Sequence, residues 1–190
     1  MHVATTTPAT GLGADLRALR KARGLTLTDL AERLGRSVGW LSQVERDKSE
    51  PSLGDLRHLA SALDVSLALL SRPAASFAHE EGFVVRRNAR RPVGPPIDGL
   101  TEELLSPDLT DAFEMVHSTF APGSRIHVTV TRPTQEVGYL LSGRLQVEIN
   151  GVTHSINAGD SFRIRGEPFR WSNPYEKPAV AIWVIAPPVY

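Results

Sequence analysis

Residues 126–136, IHVTVTRPTQE, place a histidine, two threonines and a glutamate within reach of one another. His127, Thr129 and Thr131 alternate with Ile126, Val128 and Val130, the period of two that sends one set to each face of a β-strand. Glu136 follows just past the turn-forming Pro133. A polar strand face aimed at a carboxylate is one way for a β-barrel to hold a metal ion. Zinc or iron, however, needs about three or four well-placed N, O or S donors. One carboxylate and two hydroxyls do not supply that set, and His154 belongs to a different strand. No cofactor or metal is expected. The chain also has no cysteine, which excludes a thiol nucleophile, a thiolate zinc site and a disulfide framework. No Ser-His-Asp arrangement and no paired carboxylates offer another catalytic route.

The elements that must position these residues fall into two grammars. Residues 12–71 are helical by pattern. Leu12, Leu16 and Leu19 recur at helical spacing, and Gly24 supplies a left-handed stop. In TLTDLAERLG, Thr26 caps a helix with Asp29 at its third position, an apolar stripe of Leu27, Leu30, Ala31 and Leu34, and Gly35 at its end. Ser37 caps a third helix with Leu41 and Val44 inward, Pro51-Ser52 opens a fourth, and a short fifth runs from Ser66 to Leu70. A linker spans 72–82, and residues 1–11 read as a disordered tail. From 83 to 190 the chain turns to short strands: Asn150-Gly151 is a hairpin signal, followed by SFRIR, FRWSN and AVAIWVIA at the spacing of a sandwich or barrel.

The chain's 190 residues are 41% apolar and 22% charged with zero net charge, and no apolar run approaches the ~18 residues of a membrane span. The start lacks the basic and apolar segments of a signal peptide, so a cytoplasmic location is expected. Split near residue 72, the first part holds ten Lys/Arg against eight Asp/Glu and the second eleven against thirteen. A formal +2 is a weak pointer to nucleic acid.

The turn LGRS between the second and third helices has the length that crosses two helices steeply, which lets the third enter a major groove. GLTLTDLAERLGRSVGWLSQVERDKSEPSLGDLRHLASALDVSL resembles, over about sixty residues and without a gap, the helix-turn-helix domain of the XRE (lambda-repressor-like) regulators. The resemblance implies a five-helix DNA-binding domain whose base-reading surface is Val38, Gly39, Ser42 and Gln43. Gln43 is the strongest reader, because its amide pairs bidentately with adenine. Thr26, Ser37, Arg46 and Lys48 are candidates for phosphate contacts. Trp40 is assigned either to the core edge or to the DNA backbone, and Glu45 to a partner inside the fold. One departure is Leu27, where the family often has glutamine.

From Gly123 onward the chain resembles the cupins, small β-barrels with two linked motifs. Gly123, Glu136 and Gly143 keep the frame of the first; Gly159-Asp160, Pro168 and Asn173 keep a shortened second. The whole chain is similar to XRE regulators with a C-terminal cupin sensor, which implies an all-α five-helix domain followed by an all-β cupin (jelly-roll) barrel. The family's paired histidines fall on Thr129 and Thr131, or on Val130 and Arg132 in a register shifted by one, which would turn Val128, Val130 and Arg132 inward. Its third histidine falls on Phe169, so only Glu136 survives. Phe169 and Trp171 share a face and, with Thr129, Thr131 and Glu136, form a candidate ligand pocket suited to a small organic molecule carrying an amine. The expected protein is a DNA-binding transcriptional regulator whose cupin domain dimerises on a palindromic operator and senses a small-molecule effector. An iron-dependent cupin oxygenase or epoxidase, and a DNA binder whose cupin only dimerises, are the alternatives.

Overall fold

Helix ends in the first half are set within three or four residues of sequence, and the computed structural model shows how. It describes residues 11–71, 78–80, 82–94 and 97–189. Apart from Gly11, the expected tail lies outside these residues, as do 72–77 and 81 of the expected linker. The helices are α1 (Leu12–Ala22), α2 (Leu27–Leu34), α3 (Val38–Val44), α4 (Leu53–Ala62) and α5 (Leu67–Leu70). Thr26 with Asp29, and Ser52 with Asp55, form reciprocal capping boxes, each satisfying two otherwise orphaned N–H groups. Gly24 and Gly35 take the left-handed conformation, φ +65° and +62°, which a Cβ would disfavour. The start of α1 has no capping side chain of its own; the Asp47 carboxylate accepts the Gly13 N–H at 2.8 Å instead.

The apolar stripes converge on Leu16, Leu19, Leu30, Leu41, Leu59 and Leu63, all fully buried. Beside them Arg20 of α1 donates to Glu45 through Nε at 2.6 Å and Nη2 at 2.9 Å, and Nη1 donates to the Leu25 carbonyl at 2.8 Å. Glu45 thus has the internal partner expected of it. Among the described residues no helix is long and apolar enough to cross a membrane.

The chain divides into two compact units, Met1–Ala89 with Pro107–Thr110 and Arg90–Ser106 with Asp111–Tyr190. The boundary falls after Ala89 rather than after residue 82. The stretch before it makes 3₁₀ turns at Ala78–Glu80 and Arg87–Ala89 with an ion pair between Glu80 and Arg86, so strand structure starts later than composition suggests. Residues 107–110 join the first unit, where the Leu109 N–H donates to the buried Asp15 carboxylate at 3.0 Å.

The second unit is all antiparallel. Its strands are β1 (Arg91–Pro92), β2 (Leu100–Leu104), β3 (Glu114–Phe120), β4 (Gln135–Ser142), β5 (Arg144–Ile149), β6 (Val152–Asn157), β7 (Ser161–Arg165), β8 (Phe169–Ser172) and β9 (Ala179–Ala186). One sheet has the order β1-β2-β3-β9-β4-β7 and the other β6-β5-β8. Asn150 and Gly151, both at positive φ, turn β5 into β6. Strict alternation puts Val116, Phe120, Leu140, Leu145, Val147, Ile164 and Trp183 into one core between the sheets.

One expected strand is absent. Residues 126–131 meet β8 only through bridges at Arg125↔Ser172 and Val130↔Phe169. Five steps on one side span three on the other, so the segment carries two extra residues and bulges. The alternation of IHVTVT is therefore not a strand's alternation, and its faces do not follow from counting by twos.

Candidate functional sites: a DNA-reading helix and a barrel cavity

On α3, Val38, Gly39, Ser42 and Gln43 share one face by helical spacing, opposite the buried Leu41 and Val44. Val38, Gly39 and Gln43 are exposed and Ser42 is half-buried. Ser37 accepts the Trp40 N–H through Oγ at 3.1 Å, which leaves its own proton for an outside acceptor. Thr26 is different. Its hydroxyl donates to Asp29 at 2.6 Å while accepting the Asp29 N–H at 3.1 Å, and the hydroxyl bond, with one from the Thr26 backbone N–H at 2.8 Å, holds the Asp29 carboxyl below the usual carboxylate range. Its single proton is spent on the cap, so Thr26 has none for a phosphate. Arg46 and Lys48 are exposed; the Arg46 Nε donates to the Ser42 carbonyl at 2.9 Å, steadying it beside the face expected to read bases. Trp40 is half-buried under the Arg36 guanidinium, 5.2 Å from its ring centroid. Arg36 in turn donates to Asp55 at 2.6 Å, fixing the α2–α3 turn to α4.

The barrel holds a cavity of about 660 Å³, open on one side to solvent, a volume typical of small-molecule sites. Phe120, Phe169, Trp171 and Trp183 form aromatic walls, with Phe120 and Trp171 packed edge-on at 4.7 Å. Glu136, 2% exposed, reaches the cavity from β4, and Thr134 donates to it at 2.7 Å. Arg132 lies 3.7 Å from the same carboxylate. Thr129 and Thr131, expected in the pocket, are exposed and do not line it. The bulge puts Ile126, His127, Val128, Val130 and Arg132 there instead, close to the alternative register.

Counting from Gly123 misses two further carboxylates. Glu102 on β2 lines the cavity, opposite Ser118 of β3, whose hydroxyl donates to it at 2.7 Å. Glu114 on β3 is 3% exposed and shares a row with Glu136, each paired with Ile185 of the intervening β9. Burial pushes the Glu102 carboxyl up and raises Glu114 to about 7, against the Val189 N–H bond and Arg132, which pull it down. The signal was present in period-two form: Leu100, Glu102, Leu104 and Glu114, Val116, Ser118, Phe120 each put a carboxylate on an otherwise core-facing row.

Residues 12–72 match a helix-turn-helix domain family and residues 116–185 the cupin domain family. The chain is 28% identical to the HTH-type transcriptional regulator PuuR of Escherichia coli (strain K12) over 166 residues, 85% of this chain and 86% of that protein. It is 31% identical to the transcriptional regulator ClgR of Mycobacterium tuberculosis (strain ATCC 25618 / H37Rv) over 97 residues, 50% of this chain and 87% of that protein. The chain belongs to the XRE-family helix-turn-helix regulators with a cupin domain. A crystal structure of an HTH_3 family transcriptional regulator from Vibrio cholerae aligns over 94% of this chain and 96% of that one, at 22% identity and TM-score 0.44.

For this DNA-binding XRE regulator, the metal that many cupins carry can be tested against the donors. The histidine positions hold Thr129 and Thr131, both turned outward, or Val130 and Arg132. Phe169 stands at the third, and Glu136 is engaged by Thr134 and Arg132. Among the described residues no three His, Cys, Asp or Glu side chains come together to hold a metal ion. These donors do not fit zinc or iron.

Proposed function

We propose that this regulator's cupin unit dimerises, senses a small organic cation in its cavity, and works without catalysis. The observation that carries the reading is an excess of buried acid. Three carboxylates, the buried Glu114 and Glu136 and the half-buried Glu102, lie around Arg132, whose charge is felt by Glu102 and Glu114, while the other arginine at the cavity, Arg125, is exposed. An ammonium group entering beside Glu102 and Glu136 meets acids that burial has left short of counter-charge. The aromatic walls take its hydrocarbon body and, through their ring faces, part of its charge. A ligand carboxylate in the same place would add a fourth acid.

Dimerisation gives the reading heads two half-sites, roughly one helical turn of about 34 Å apart. The effector then acts by binding one arrangement of the heads more tightly than another, which is the only way a ligand can shift such an equilibrium.

Titration calorimetry with primary amines, amino acids, polyamines and matched carboxylic acids tests the effector class. Amines are expected to bind the wild type and to lose at least tenfold in affinity for Glu136→Gln. Acids binding while amines do not would overturn the reading.

A further inference from the structure

Resting on the dimer reading above, we propose that the outward face of the six-stranded sheet is the docking surface for a second copy of the chain, with β9 on the two-fold axis. Val137, Tyr139 and Leu141 alternate along β4 with buried residues and are 40%, 45% and 48% exposed. The register sets Val137 beside Val184 and Tyr139 beside Ile182 of β9. On the other side of β9, Met115 lies beside Val184 and His117 beside Ile182. An apolar face three strands wide is seldom left to water on a monomer.

The rims decide the occupant. On β2, Glu103 stands beside His117, 3.8 Å from its Nδ1 and 3.3 Å from Arg90. On β7, the exposed Arg163 stands beside Val137. One edge of the face therefore ends in a carboxylate already paired with Arg90 and the other in the exposed guanidinium of Arg163, with β9 midway in the order β2-β3-β9-β4-β7. Two such sheets stacked with aligned strands have two choices of in-plane axis. Rotation about an axis along β9 lays β3 on the partner's β4 and β2 on its β7, which sets Glu103 level with the partner subunit's Ser161 and one same-face step, two residues, along the strand from the partner subunit's Arg163. Rotation about an axis across the strands lays β7 on β7 and brings the arginines together. The first is self-complementary in shape and charge, as an isologous interface requires.

Sedimentation equilibrium of the full chain between about 1 and 50 μM tests this. Wild type is expected to be dimeric. Tyr139→Glu should raise the dimer Kd at least a hundredfold while circular dichroism stays unchanged. Glu103→Arg and Arg163→Glu should each weaken the dimer about fivefold to tenfold, and the double variant should recover it, since each single change sets like charges one same-face step apart. A wild-type monomer throughout would overturn the dimer reading and this face with it. A dimer indifferent to Tyr139→Glu, with no recovery in the double charge variant, would leave the dimer reading standing and overturn this face alone.

Discussion

Inside the helical unit the buried carboxylate of Glu45 has an arginine of its own, Arg20, joined by two bonds at 2.6 and 2.9 Å. Inside the barrel Glu102, Glu114 and Glu136 share the charge of Arg132, whose guanidinium lies 3.7 Å from Glu136. A buried charge that is fully paired serves the fold, because removing either partner strands the other. Buried acid in excess of its cations raises pKa values and leaves an electrostatic demand that a ligand can meet. The same residue type therefore reads as scaffold in one unit and, under the proposed function, as a binding determinant in the other.

That contrast can be broken in several ways. Glu45→Ala strands Arg20 and should cost about 3–5 kcal/mol. Hydrogen exchange should then show lost protection in α1 and α3 and none in β3 or β9; a loss spread over both units would mean that the pair is not local scaffold.

Glu114 makes the opposite statement. With its folded pKa raised to about 7 from an ordinary 4.5, the folded state keeps a proton that the unfolded chain releases. Its contribution to stability is complete below pH 4.5 and is lost as pH rises to about 7, a fall of roughly 3 kcal/mol. Glu114→Gln should flatten that slope, making the variant more stable than wild type at pH 8 in urea denaturation. A slope unchanged by the substitution would remove Glu114 from the acidic excess.

Smaller effects sharpen the DNA side. Gln43→Ala should relax preference at one base position by about 1–3 kcal/mol, measured by selection from a randomised duplex library. An unchanged preference would take the reading role from Gln43. Lys48→Ala should weaken binding evenly across sequences and reduce the salt slope by about one.

The two units also differ in how much of them could be read from the residues. The helical unit was legible because its determinants are local: Thr26 and Asp29, Ser52 and Asp55, and Gly35 settle helix ends within a turn of chain. The exposed face of α3 then follows from which positions are buried. In the barrel the strands after the Gly143 turn, β5 to β9, were equally legible, and so was the placement of Phe169 and Trp171 on one face. The cavity wall was not. The two-residue bulge between Arg125 and Val130 is set by pairing with β8, some forty residues later in the chain, and nothing within IHVTVT announces it. Glu102 and Glu114 escaped for another reason, since β2 and β3 lie before Gly123, where the cupin frame begins. Thr26 shows the remaining gap: its type suits a phosphate, but its proton is already committed to Asp29.

The central claim is that cation binding in the barrel changes DNA binding by the helices. Fluorescence anisotropy of a selected operator duplex, titrated with protein with and without the amine that binds in calorimetry, tests it most directly. The expected result is a change in operator Kd of at least tenfold for the wild type and none for Glu102→Gln. An operator Kd that stays the same while calorimetry shows the amine fully bound to the wild type would contradict it.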